Sequence, residues 1–237
     1  MQINCSNSFT SSLEKLSHNE QKQAKLSFSD LLFNPTNPGL QFHRLNAVRD
    51  PNFWSVRVSK DVRIIIHKTD RYFTICYVDH HDAAYRWAEN RKGQVHPKTG
   101  SFQLVEIREL VEEIVVKRVI EKNVPQQPLF ADFSSDTLLS YGVPEEWLQD
   151  VAAVSDLDTL LQLVDHLPEE AHDALLVLVD GGTPTIPVVD GDLLDPFEHP
   201  DSRRRFCVLG EVGDESLTHF LDQPLSVWRF FLHPSQR

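Results

Sequence analysis

The hydrophobic period changes twice in the first half of the chain. Phe9, Leu13 and Leu16 recur at helical spacing, and Ser17 with Glu20 forms a capping-box pattern. That pattern opens a second helix with Ala24, Phe28, Leu31 and Leu32 on one face, which Pro35 and Pro38-Gly39 stop. The period then falls to two. Gln41 to Leu45 reads as a strand, and Phe53 to Ser59 puts Trp54, Val56 and Val58 on one face and Ser55, Arg57 and Ser59 on the other. Val62 to His67 and Tyr72 to Val78 follow, parted by the turn-prone residues 68 to 71. Short connections make these strands antiparallel neighbours, and the helical pair must cover their apolar face. The stretch VDHHDAAYRW, Val78 to Trp87, returns to helical spacing, with Asp79 or Asp82 expected to cap a helix through Ala83, Ala84 and Trp87.

The second half is patterned differently. Residues 133 to 182 read as four short helices, with start signals at Ser155 to Asp158 and Leu167 to Glu170 and a stop at Gly181-Gly182. The run from Leu139 to Val143 holds one glycine of a helix-hairpin-helix but lacks the second glycine and any basic residue, so a packing module is expected. Beyond Pro184 and Pro187 an acidic stretch leads to an expected strand, Arg205 to Leu209, and a helix from about Asp214 to Leu221. The class is therefore α+β: an N-terminal helical hairpin packed on an antiparallel sheet, then a mostly α-helical acidic region. The expected divisions are 1–124, 125–182 and 183–237, with the proline-containing NVPQQP, Asn123 to Pro128, at the first boundary.

Charge sharpens this division. The 237 residues carry a net −12, but residues 1–124 hold 18 Lys and Arg against 14 Asp and Glu, or +4. Residues 125–237 hold 5 against 21, or −16, and no lysine. Contact with nucleic acid is thus expected through residues 1–124, because phosphate binding rests on Lys and Arg and an acidic surface repels a polyanion. Arg203 to Arg205 reads as a local ion-pair partner for Asp192, Asp195 or Glu198. The longest apolar runs, such as Ala174 to Val179, fall far short of a membrane span, and MQINCSNSFT lacks a basic stretch before an apolar one, so no membrane partner and a cytoplasmic location are expected. Cys5, Cys76 and Cys207 are odd in number and far apart, which argues against a disulfide framework and a zinc site.

Candidate chemistry gathers on the polar face of the strands. Arg57 and, across the Lys60-Asp61 turn, Arg63 can face one surface and grip a phosphate, unless they pair with Asp50, Asp61 or Asp70. Arg44 and Lys60 add positive charge for the same polymer. His81 and Tyr85 are four apart, hence neighbours on one helix face, and a histidine beside a tyrosine is an acid/base pair. With two arginines to stabilise a phosphorane-like transition state, such a site supports 2′-hydroxyl attack on the adjacent phosphodiester, a metal-free RNA cleavage; a satisfied structural cluster is the competing reading. No metal site is expected, because no helical His-x-x-x-His pair supplies a second ligand.

The run from Phe42 to Glu89, preceded by two helices, resembles the RelE/ParE superfamily of toxin-like domains. The resemblance falls on Arg57, Arg63, His81 and Tyr85, and implies that these positions bind the phosphate and assist proton transfer in an RNA-cleaving branch. The last residues, PLSVWRFFLHPSQR, resemble the Q-motif entry of UvrD-like superfamily 1 DNA helicases at Leu232, His233, Pro234 and Gln236, which implies adenine recognition by Gln236 when a motor domain is present. The layout as a whole is similar to the N-terminal region of such helicases carrying a RelE-like domain. No G-x-x-x-x-G-K-[ST] loop occurs in the sequence, so no ATPase activity and no cofactor are expected of this chain, ATP and magnesium belonging only to an intact helicase with its motor in cis. Three functions follow as expectations: a nucleic-acid-binding accessory region of a helicase using Arg44, Arg57, Lys60 and Arg63; a toxin ribonuclease using Arg63, His81 and Tyr85; and a protein-docking module on the same scaffold.

Overall fold

The computed structural model describes residues 1–34, 37–111, 127–189 and 195–211. It divides into two compact units: one comprises Met1–Asn90 together with the described residues 203–211, the other Arg91–Ser202. The divisions at 124 and 182 expected from composition are placed differently by the contacts, because Val105 packs into the same core as Trp147, Leu160 and Leu175.

The first unit begins with a strand that residue patterning did not indicate. β1 (Gln2–Ser6) is followed by α1 (Asn7–Lys15) and α2 (His18–Phe33). Ser6 links strand to helix: its hydroxyl accepts from the Phe9 N–H at 3.1 Å and donates to the Cys76 carbonyl at 2.8 Å. Ser17 and Glu20 form the expected capping box, the Ser17 N–H donating to the Glu20 carboxylate at 2.9 Å. The strands that follow are β2 (His43–Arg44), β3 (Phe53–Arg57), β4 (Val62–Lys68) and β5 (Tyr72–His80). The strand expected over Gln41 to Leu45 shrinks to two residues because Gln41 lies in the left-handed region, at φ 42°. Then come α3 (His81–Glu89) and, after the second unit, β8 (Phe206–Glu211).

These strands form one sheet in the order β2-β3-β4-β5-β1-β8. All neighbours are antiparallel except β1 and β5, which run parallel. On one face α1 and α2 bury Phe9, Leu13, Ala24 and Phe28 against Ile3, Val56, Ile64, Ile66 and Ile75. Each fully buried Phe, Ile or Leu here contributes about 1.5–3 kcal/mol of transfer free energy. On the other face α3 lies on the sheet through Ala84 and Ala88; Trp87 stacks on Tyr77 at 4.9 Å and meets Phe53 edge-on at 5.9 Å.

The second unit starts with a hairpin of β6 (Arg91–Val95) and β7 (Phe102–Glu106). Four short helices follow: α4 (Ser135–Ser140), α5 (Leu148–Ala153), α6 (Leu157–Val164) and α7 (Glu169–Val179). Trp147 is fully buried among Val143, Leu160, Leu163 and Leu175, and its indole N–H donates to the Glu106 carbonyl at 3.0 Å. Gly142, at φ 81°, ends the turn after α4, where a Cβ would come within 2.6 Å of Glu170 Cγ; that close approach accounts for the glycine noted in the sequence. One further helix, α8 (Pro200–Arg205), leads back into β8. Among the described residues no helix is long and apolar enough to cross a membrane.

Candidate nucleic-acid interface

Strand register decides which side chains share the surface beside α3. His43 lies opposite Ser55, Ser55 opposite Ile65 and Ile65 opposite Tyr77; in the next row of that face Arg57 lies opposite Arg63 and Arg63 opposite Asp79. Directly opposed residues of antiparallel strands point to the same side, so His43, Arg57, Arg63 and Asp79 all face away from the α1–α2 core. Arg44 is opposite Trp54, whose ring packs against that core, so register turns Arg44 to the other face. The sequence grouped Arg44 with the phosphate-binding residues; the alternation of the sheet separates it, and its Nε donates to the Pro51 carbonyl instead.

Arg57 and Arg63 are half-buried neighbours of like charge. Both lean on the Ser59 carbonyl, Arg57 through Nε at 3.1 Å and Arg63 through Nη1 at 3.0 Å, and Arg63 Nη1 also donates to the Val62 carbonyl at 2.9 Å. Among the described residues neither has a carboxylate partner. Asp50, one of the acids proposed from the sequence, is buried against His67 at 3.0 Å. Two guanidiniums directly opposed repel each other; Asp79, opposite Arg63 on its other side, forms no ion pair with it among the described residues, and a bound anion relieves that repulsion. Lys60 is exposed in the turn between them in sequence.

That turn also anchors the histidine. The His81 N–H, at the start of α3, donates to the Asp61 carbonyl at 2.6 Å, joining the helix to the segment on which both arginines rest. No side chain caps the helix: His80 occupies the N-cap position but its side chain accepts no hydrogen bond from the helix N–H groups. The two aspartates orient histidines and a tyrosine instead of capping. Asp79 accepts from the Tyr77 hydroxyl at 3.1 Å and the His80 N–H at 2.7 Å, while Asp82 accepts from His81 Nδ1 at 2.9 Å. The His81 and Tyr85 rings are 4.2 Å apart, as their spacing on one helix face predicts.

Tyr85 brings in a residue the sequence reading missed. Its hydroxyl lies 3.4 Å from His43 Nε2, while His43 Nδ1 lies 2.6 Å from the Gln41 carbonyl. The signal was present in the alternation of β2 against β3, but a two-residue edge strand has no pattern of its own. His80, by contrast, is opposite Val62 and faces the α1–α2 side, 3.3 Å from Glu20 and 3.9 Å from Asp61. Its hydrogen bond to Asp79, together with the charges of Glu20 and Asp61, holds its pKa above the ordinary histidine value. Among the described residues no group of three His, Cys, Asp or Glu side chains is placed to hold a metal ion. Gln236 and the Q-motif-like end lie outside the described residues.

No protein-family model matches the chain, and no curated protein matches it. Solved structures do. YafQ from E. coli strain BL21(DE3) is 20% identical over 34% of this chain and 93% of its own, with a TM-score of 0.30. The E. coli DinJ-YafQ complex matches at 22% identity over 35% of this chain and 96% of the other, with a TM-score of 0.30. The RelB-RelE antitoxin-toxin complex from Methanococcus jannaschii matches at 17% identity over 35% and 95%, again at 0.30. These neighbours are toxin structures of the RelE and YafQ kind, and nothing in them shows a UvrD-like helicase parent.

Proposed function

We propose that the first unit is a RelE-type, metal-free ribonuclease that grips one phosphate of an RNA strand between Arg57 and Arg63. The observation that carries this reading is that two guanidiniums with no ion-pair partner among the described residues share a sheet face with His43, while the Asp61 carbonyl, in the turn that joins their strands, holds the start of the helix bearing His81 and Tyr85. In the proposed reaction the 2′-oxygen attacks the adjacent phosphorus and the bond from phosphorus to the 5′-oxygen breaks. Proton transfer needs an acceptor for the 2′-hydroxyl and a donor for the leaving oxygen. Neutral His43 presents a bare Nε2 at the Tyr85 hydroxyl, so this pair supplies the acceptor. His81, whose Nδ1 is committed to Asp82, presents Nε2 for the donor role when protonated. Arg57 and Arg63 stabilise the charge that builds on the phosphoryl oxygens, and Lys60 supplies longer-range attraction.

The test is cleavage of a labelled single-stranded RNA by the full chain in the presence of a chelator. The expected products end in a 2′,3′-cyclic phosphate and a 5′-hydroxyl, and a single 2′-deoxy substitution at the cut site blocks the reaction. Binding of RNA or DNA without any cleavage would sink the ribonuclease and leave a nucleic-acid-binding accessory role, which uses the arginines but has no need of His43, His81 or Tyr85. Absence of binding to either polymer at low salt would leave a protein-docking role.

A further inference from the structure

We propose that Gln41 is a positioning residue whose main-chain carbonyl fixes the tautomer of His43 and so sets the direction of the hydrogen bond between His43 and Tyr85. The inference rests on the ribonuclease reading for its catalytic consequence but not for its geometry. A carbonyl oxygen can only accept, so the 2.6 Å contact requires the proton on His43 Nδ1. A neutral imidazole has one N–H, and Nε2 is therefore left with its lone pair toward the Tyr85 hydroxyl at 3.4 Å. In this tautomer the phenol donates to the imidazole. In the other, Nε2–H would donate to the phenol oxygen, and His43 would present no base to the site.

The backbone around Gln41 is built to aim that carbonyl. Gln41 is the one non-glycine residue with positive φ among the described residues, at φ 42° and ψ 44°. It closes the single turn Pro38–Leu40, donating its N–H to the Pro38 carbonyl at 3.2 Å, while Asn37 Oδ1 accepts from the Gly39 N–H at 3.0 Å. Leu40 is buried in the α1–α2 core and anchors the turn. The Gln41 side chain itself is exposed, so the work is done by the main chain. An L residue held in the left-handed region two positions before a site histidine is the kind of local strain that persists where it orients a functional group.

The experiment compares the full-length protein with Gln41→Gly, which adopts the left-handed conformation freely, and Gln41→Val, whose branched side chain opposes it. Nitrogen-15 NMR of the imidazoles reads the tautomer directly. Wild type and Gln41→Gly are expected to show a protonated Nδ1 and a bare Nε2 at His43, and Gln41→Val a mixture of both tautomers. Affinity for a 2′-deoxy-substituted RNA is expected to be the same in all three proteins, while cleavage of the all-RNA strand falls roughly tenfold or more in Gln41→Val alone. A wild-type spectrum in which neutral His43 carries its proton on Nε2 and leaves Nδ1 bare overturns the proposal without recourse to any variant. So does a Gln41→Val spectrum identical to wild type. A bare Nε2 in a protein that cleaves no RNA refutes the ribonuclease and upholds the positioning role, so the two ideas fail separately.

Discussion

Replacing Arg57 and Arg63 together by alanine separates phosphate binding from fold stability. The two guanidiniums lie directly opposite each other on β3 and β4 and share the Ser59 carbonyl, with exposed Lys60 between them in sequence. Each neutralised phosphate of a single strand contributes about −0.7 to the slope of log K against log salt, so one phosphate held between the two arginines and a second at Lys60 give about −1.4, and the double variant about −0.7. Hydrogen bonds to charged groups are worth about 1.5–3 kcal/mol each, so affinity at low salt falls by about 3–6 kcal/mol, on the order of a hundredfold to ten-thousandfold. The fold should change little, because relief of the like-charge opposition between Arg57 and Arg63 offsets loss of the Arg63–Asp79 cross-strand neighbour, each on the order of 0.2–1 kcal/mol, and water can replace both donors at Ser59. The assay is fluorescence anisotropy with a 2′-deoxy-substituted RNA over a potassium chloride series, alongside thermal melting. Arg44→Ala is the control: register puts Arg44 on the opposite face, so its loss leaves the slope unchanged. An unaltered slope in the double variant, a slope change in Arg44→Ala matching that of Arg63→Ala, or a fall in melting temperature that accounts for the lost affinity would each refute the reasoning.

Tyr85→Phe removes the hydroxyl facing His43 and keeps the ring against His81, so cleavage is expected to drop about a hundredfold while RNA affinity stays within twofold, measured by single-turnover kinetics and anisotropy. Gly142→Ala meets both a positive φ of 81° and a Cβ position 2.6 Å from Glu170 Cγ, whereas Gly181→Ala, at φ 77°, adds its Cβ to open space. Urea midpoints should show a loss of about 2–4 kcal/mol for Gly142→Ala, strain and overpacking together, against about 1 kcal/mol for Gly181→Ala. Burial pushes the Glu106 carboxyl up, but its hydrogen bond to His166 and the charge of Arg91 outweigh that and hold its pKa below the ordinary glutamate value. A depressed carboxyl stabilises the fold above its unfolded pKa and loses that contribution as pH falls through the folded one. Melting temperature should therefore decline as pH drops below about 4.3, the ordinary glutamate value, and Glu106→Gln should flatten that part of the profile.

Local chemistry was legible wherever neighbours in sequence are neighbours in space. Ser17 and Glu20 are three apart and cap α2; His81 and Tyr85 are four apart and touch; the alternation of Trp54, Val56 and Val58 against Ser55 and Arg57 sorts the two faces of β3. Each of these follows from the 3.6- or two-residue repeat and needs nothing from the rest of the chain. Gln2–Ser6 alternates Gln2, Asn4 and Ser6 with only two apolar residues, Ile3 and Cys5, too short a pattern to mark a strand by itself. It becomes one because β5 and β8 flank it on both sides, burying Asn4 completely and setting Cys5 opposite Cys207. The same applies to the candidate site. Sequence alone assigned Arg57, Arg63, His81 and Tyr85 to one polar pocket, but only the pairing of β2 with β3 added His43 and turned Arg44 away. Register across strands and the path of the chain are paid for by long-range burial, and no local pattern carries that information. What the sequence determined by itself was α1 to α3, β3 to β5 and the chemistry each could offer; β1, the β6–β7 hairpin and which of those groups meet were decided by tertiary packing.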